Sequence, residues 1–290
     1  MKLPLRLHQE VEGRFGPIRE VTAIGGGCVS SACRVEAGGR LLFVKYEPDA
    51  PADLFAVEAA GLAELRGATT AVRVPEVLAC VDGPGDMSWI ALEWLDAVAA
   101  SEAFGAPLGV ALSEIHRVAG RGWGWHRDGF IGRLPQSNRV WGGWADFWWE
   151  ERLSPQLTRA QRTGHCRESG WDELATSLPD LLAPAETEGP SLLHGDLWGG
   201  NVVTTREGAA LIDPACYWGH REVDLAMSEL FGGFGPNFYA AYASAWPLMP
   251  GYSVRRGVYQ LYYLLVHVNL FGAGYMGRTT ATLRSVLAAG

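Results

Sequence analysis

Apolar positions change their period along this chain, and the changes mark out its elements. Residues 5–15 set Leu5, Leu7 and Val11 among charges and predict a short helix. From Pro17 the pattern becomes β-rich, with runs at Ile18–Ile24, 28–36 and 41–45 joined by Gly25-Gly26-Gly27 and Gly38-Gly39. Helical spacing returns over 52–65 through Leu54, Val57, Ala60-Gly61 and Leu65. Two further strand-like runs, Val77–Val81 and Ser88–Glu93, flank the turn-rich Asp82-Gly83-Pro84-Gly85-Asp86. Beyond Glu93 the composition is helical. Helices are expected over 101–119, 141–163, 170–178, 222–230, 238–245, 255–271 and 279–289, with a Pro/Glu-rich connector over 179–190. A Trp- and Gly-rich span, 122–149, has no core-helix spacing before about Trp141, and its rings pack a core or stack on a sugar.

Composition narrows the class. Of 290 residues, 48% are apolar and 19% charged, which excludes disorder and leaves room for two lobes. A formal net charge of −8 argues against a nucleic-acid partner and suits a substrate carrying an amine. The five cysteines include no CxxC pair, so a disulfide framework or zinc site is not expected, and reduced thiols in a cytoplasm fit best. The first residues lack a long apolar core, and Glu10 and Glu12 spoil a signal peptide. The apolar stretch 258–271 is interrupted by Gln260, His267 and Asn269 and is too short to span a bilayer, so it reads as a buried helix and no membrane partner is expected.

The chemistry concentrates in Leu192-Leu193-His194-Gly195-Asp196-Leu197-Trp198-Gly199-Gly200-Asn201 and, shortly after, Leu211-Ile212-Asp213-Pro214. A lone Asp in such a turn is most often a cap. Asp196, Asn201 with four residues between, and Asp213 at a strand end are together the inventory of a phosphoryl-transfer centre. Asp196 would orient a nucleophilic hydroxyl and take its proton late, while the Asn201 oxygen and Asp213 would hold Mg²⁺ on nucleotide phosphates. Asp224 and His194 are read as structural supports of the His194–Asp196 turn, and His116 as structural too.

Upstream runs supply matching parts. Gly25, Gly26, Gly27 and Cys28 form a turn whose amides can approach phosphate, although a bare Gly triplet is more often only a flexible turn. Strand alternation sends Lys45 to the face of that turn, and Glu58 on the following helix is placed to pair with it and aim the ammonium at ATP phosphates. Glu93, Trp94 and Leu95 are read as the joint between a nucleotide-binding lobe, 1–94, and a catalytic and substrate-binding lobe, 95–290, with backbone groups for an adenine edge. Cys28 is either a small residue in a tight turn or, beside amides and Lys45, an oxidisable thiol.

At these residues the chain resembles the aminoglycoside-phosphotransferase-like branch of the protein-kinase fold, and within it the fructosamine kinase (ketosamine-3-kinase) family. The resemblance is carried by 194–201 and 213–227, with Gly25-Gly26-Gly27-Cys28-Val29-Ser30, the Lys45/Glu58 pair, Ile131-Gly132-Arg133-Leu134-Pro135-Gln136-Ser137-Asn138 and Phe231-Gly232-Gly233-Phe234 in support. It implies an α+β bilobal fold, with a small antiparallel sheet and one helix in the N-lobe and a larger, mostly helical C-lobe. It also implies ATP-dependent phosphorylation of a ketosamine sugar hydroxyl, O3, in deglycation repair. Trp198 and Trp218 line the sugar site or pack the core. The sugar, fructose- or ribulose-derived, the amine carrier, free or protein-bound, and the oligomeric state stay open. Pro214-Ala215 follows Asp213 where protein kinases have Phe-Gly, so control by loop phosphorylation is not expected. A kinase of another hydroxylated amine, of aminoglycoside or choline type, and a non-catalytic nucleotide-binding module are the alternatives.

Overall fold

Alternation over 18–47 builds a sheet with one wholly apolar face. The computed structural model describes residues 2–25, 30–82, 87–99 and 104–289. Strands β1 (Ile18–Ile24), β2 (Ser31–Ala37), β3 (Arg40–Glu47), β4 (Val77–Val81) and β5 (Ser88–Glu93) form an antiparallel sheet in the order β1-β2-β3-β5-β4. Cys33, Val35, Ala37, Leu42, Val44, Tyr46, Trp89 and Ala91 point to one face, where helix α1 (Leu5–Phe15) adds Leu7 and Val11. The β2–β3 turn needs Gly38, whose φ is +55° and where a Cβ would lie 1.8 Å from the Phe15 carbonyl oxygen.

The opposite face carries helix α2 (Leu54–Ala68), held at its start by Asp82, whose Oδ2 accepts from the Phe55 and Ala56 amides at 2.8 and 3.0 Å. The sheet thus has two helices, one on each face, where the resemblance implied one; α1 is the addition. By its internal contacts the chain divides into two units, Met1–Ala100 with Val203–Asp213, and Ser101–Val202 with Pro214–Gly290. The first unit therefore includes the β9 (Val202–Thr205) and β10 (Gly208–Leu211) hairpin, apart from Val202 itself. Arg73 fastens this hairpin, accepting from Leu211 N at 2.9 Å and donating to Ala209 O at 3.2 Å. Its guanidinium pairs with Glu93 and Glu207.

The second unit is mostly helical: α3 (Gly105–His116), α4 (Trp144–Phe147) continuing through a π-helical turn (Trp148–Leu153) into α5 (Ser154–Arg162), α6 (Trp171–Glu188), α7 (Glu222–Phe231), α8 (Pro236–Ala245), α9 (Tyr252–Phe271) and α10 (Met276–Ala289). Short pairings interrupt it, β6 (Gly129–Ile131) with β7 (Leu134–Gln136) and β8 (Ser191–Leu193) with β11 (Tyr217–Gly219). The expected connector over 179–190 is instead the second half of α6. Leu174, Leu178, Leu182 and Ala185 keep helical spacing and are buried, while Pro179 and Pro184 lie on the more exposed side, where water can take the carbonyls left without a donor. The Trp-rich span is core. Trp144 packs on Trp123, Trp148 and Phe147 at ring separations of 4.9, 5.3 and 5.4 Å. Helix α9 is buried along most of its length, and no helix among the described residues is long and apolar enough to cross a membrane.

Candidate active site

In the first unit the chemistry gathers on Lys45. Strand β3 alternates Val44 and Tyr46 into the apolar core, which sends Lys45 to the α2 face. Its Nζ donates to Glu58 Oε1 at 2.9 Å and to Asp213 Oδ1 at 2.5 Å. The pairing of Lys45 with Glu58 expected from the sequence is therefore present, and Asp213 joins it. Burial by itself would lower the Lys45 pKa, but the charges of Asp213 and Glu58 outweigh it and raise the value, so the ammonium stays charged. Burial pushes Glu58 upward against the pull of Lys45. Asp213 sits past the β9–β10 hairpin with φ +55°, a left-handed conformation that Asp tolerates and that Lys45 helps hold. Its side chain is 39% exposed.

In the second unit the turn His194-Gly195-Asp196 is fixed on every side. Asp224 Oδ2 accepts from His194 N at 2.7 Å and its Oδ1 from Gly195 N at 2.9 Å. Ala215 N donates to His194 O at 2.8 Å, and the Tyr263 hydroxyl donates to Gly195 O at 2.7 Å. Gly195 has φ +81°, and a Cβ there would meet the Ala215 carbonyl oxygen at 2.1 Å, so only glycine fits. Asp196 N donates to His194 Nδ1 at 3.3 Å, which leaves that fully buried imidazole an acceptor within the turn. Asn201, 6% exposed, donates its Nδ2 to the Asp196 carbonyl and carboxylate at 2.8 and 3.0 Å. The amide is thereby oriented with Oδ1 as its remaining acceptor.

Behind Asp224 lies a buried polar chain. His116 bridges Asp224 Oδ2 at 3.1 Å and the Tyr242 hydroxyl at 2.8 Å, and burial lowers its pKa. Arg221 donates to Tyr242 and, through two nitrogens, to Glu188, which also bonds His220. The Gln136 amide bonds Ala215 O at 3.5 Å and accepts from Tyr262 at 2.6 Å, so the β6–β7 hairpin also bears on the turn. Tyr263 went unread in the sequence, and Gln136 entered only within a stretch that supports the resemblance, with no role of its own. Each acts on the turn across a large separation in the chain, and the only local signal was polar residues inside otherwise apolar or aromatic segments.

Other expected residues fall as follows. Gly26, Gly27 and Cys28 lie outside the described residues, and Gly25 follows β1 directly. The Glu93 amide donates to Glu76 O at 2.9 Å, so it is not available to a base edge. Trp94 donates Nε1 to Asp96 at 2.8 Å and lies under the Arg34 guanidinium, while Leu95 is buried. Trp198 is 39% exposed and its ring covers Gly200, where a Cβ would meet it at 2.3 Å. Trp218 is half-buried in β11 and covers Gly120, a packing role. Asn201 and Asp213 both offer hard oxygen donors of the kind magnesium takes, and the partly exposed Asp213 carboxylate retains acceptor capacity beyond Lys45.

An antiparallel N-terminal sheet followed by a helical remainder, with a strand lysine tied to a helix glutamate, is the protein-kinase-like architecture. The aminoglycoside phosphotransferase APH(4)-Ia shares that fold, at TM-score 0.64 and 20% identity over 98% of this chain and 99% of that one. The description "Fructosamine kinase" belongs to the family whose model matches residues 2–289, and the chain belongs to that family. It is 34% identical to the mouse protein named ketosamine-3-kinase over 290 aligned residues, covering 90% of this chain and 93% of that one. It is 36% identical to a Thermobifida fusca protein whose crystal structure carries a provisional fructosamine-3-kinase assignment, with TM-score 0.87 and 97% and 98% of the two chains covered.

Proposed function

We propose that this chain transfers the γ-phosphoryl group of ATP to O3 of a ketosamine, an amine-linked keto sugar formed by glycation. Family membership over nearly the whole chain and the rigid Asp196–Asn201 turn support the reading. The sugar O3 forms its bond to the γ-phosphorus as the bond from that phosphorus to the β–γ bridging oxygen breaks, and ADP departs. Asp196 accepts the O3 hydrogen bond and takes the proton late, because a loose transition state needs a positioned acceptor more than a strong base. Asn201 orients the Asp196 carboxylate while Lys45, held charged by Glu58, faces the phosphates. Asn201 and Asp213 would hold Mg²⁺, which when bound offsets the charge on the phosphate oxygens.

Residues 1–94 act in this reading as the nucleotide-binding lobe and 95–290 as the catalytic lobe. Trp94 and Leu95, past the occupied Glu93 amide, supply the backbone for adenine, and Gly25, Gly26, Gly27 and Cys28 cradle phosphate. Trp198, exposed two residues from Asp196, is the better placed of the two tryptophans to face the sugar. The 3-phosphate is prone to spontaneous loss from the amine, which makes the reaction a deglycation repair step. Free thiols at Cys33 and Cys166 suit a reducing cytoplasm. ATP turnover with a synthetic fructosamine and ribulosamine, beside aminoglycosides and choline, tests the assignment. Phosphate transfer to a ketosamine, located at O3 by NMR, is expected; transfer only to an aminoglycoside or choline, or to none, overturns it.

A further inference from the structure

Helix α9 carries a stripe that leads from the catalytic turn to solvent. Tyr263, fully buried, holds the Gly195 carbonyl; its own carbonyl takes His267 Nδ1 at 2.8 Å one turn later; Phe271, another turn on, is 51% exposed. His267 stacks on Phe231 at 4.2 Å and lies 5.4 and 5.1 Å from Phe271 and Tyr275. Burial lowers the His267 pKa and so disfavours its charged form, and the Arg278 guanidinium lies 6.0 Å from the centre of the Phe231 ring. The far edge of this shelf is tied back to the same turn. Gly199 N donates to Gly232 O at 3.4 Å, and a Cβ on Gly233 would lie 2.5 Å from the Gly199 Cα. Phe231 is thus joined through its neighbour Gly232 to Gly199, three residues from Asp196.

Lengths then identify what reaches the shelf. From Tyr263 to Phe271 the helix advances about 12 Å at roughly 1.5 Å per residue. In a ketosamine the amine nitrogen is four covalent bonds from O3, about 5 Å when extended, and a side chain on the amine-bearing carbon extends about as far again. With O3 at Asp196, that side chain reaches about 10 Å from the carboxylate, a span comparable to the helix advance from Tyr263 to Phe271. Aromatic faces also attract the protonated secondary amine on the way.

We propose that Phe231, His267, Phe271 and Tyr275 form a subsite for the carrier of the ketosamine, selecting apolar and aromatic amino-acid side chains on the amine-bearing carbon. The subsite rests on the ketosamine kinase reading. Its test compares kcat/KM for fructosyl-phenylalanine and fructosyl-glycine in the wild type, Phe271→Ala and Phe271→Tyr, with the KM for ATP as a check on folding. The wild type and Phe271→Tyr are expected to favour the phenylalanine adduct about tenfold, and Phe271→Ala to bring that ratio near one. Equal ratios in wild type and Phe271→Ala, with both adducts phosphorylated, overturn the subsite and leave the kinase reading standing. So does sedimentation of a dimer that Phe271→Ala dissociates, since a second copy would then cover the shelf. Turnover of neither adduct overturns the kinase reading and the subsite with it.

Discussion

The two residue sets are held by opposite means. Lys45, Glu58 and Asp213 are held by side-chain ion pairs around one ammonium, with Asp213 partly open to solvent. Asp196 sits on a turn whose amides and carbonyls are bonded by Asp224, Ala215 and Tyr263, all from the buried interior. Ion pairs between flexible side chains can exchange partners when phosphate or magnesium arrives, whereas a turn fixed through its backbone keeps one geometry. The difference suits a division of labour between accommodating a charged nucleotide and positioning a hydroxyl.

Substitutions can break that contrast, and Asp196→Asn is expected to do most. It should lower kcat on the order of a thousandfold while nucleotide affinity by calorimetry stays within about twofold; wild-type turnover would remove the base assignment. Asp224→Ala comes next. It leaves two buried amides without acceptors and should cost about 3 kcal/mol in urea unfolding, with kcat lowered and nucleotide affinity little changed. An unfolding midpoint equal to wild type would mean that the turn is held elsewhere.

Acid should reach the second unit through Glu188. Burial would raise this carboxyl, but hydrogen bonds from His220 and Arg221 and the Arg221 charge lower it from 4.5 to about 2. A depressed carboxylate binds fewer protons folded than unfolded, so its stabilisation is complete above pH 4.5 and fades as pH falls toward 2, about 3 kcal/mol in all. His116, its pKa lowered, adds a loss that begins nearer pH 6.5, where the unfolded chain takes up the proton. Glu188→Gln should flatten the lower part of the stability profile; an unchanged slope between pH 4.5 and 2 would assign the acid loss to other groups.

Lys45→Met acts on the other set. It should raise the KM for ATP about tenfold, with Glu58, already pushed upward, taking a proton in compensation; an unchanged KM would detach Lys45 from the nucleotide. Tyr263→Phe is the mildest, removing one hydroxyl from the Gly195 carbonyl for about 1 kcal/mol of stability and a small fall in kcat. Should Tyr263→Phe cost more than Asp224→Ala, the order of supports around the turn is reversed.

Much of this was legible in local pattern. Strand alternation placed Lys45 on one face and Val44 on the other, helical spacing put Glu58 opposite, and the four-residue gap singled out Asp196 with Asn201, although the bond from that amide to that carboxylate is visible only in the structure. These depend on backbone periodicity and on neighbours a few residues away, which a sequence carries directly. The course of α6 through Pro179 and Pro184 did not, because burial of Leu178, Leu182 and Ala185 outweighs the proline penalty only once a partner surface exists. Nor did the hold of Tyr263 on Gly195, or the aromatic shelf on α9. The sequence by itself determined which chemical groups the chain carries and which strand or helix presents them. The tertiary structure alone decided which distant hydroxyls and rings surround the turn, because those contacts join residues far apart in the chain and form only when the core packs.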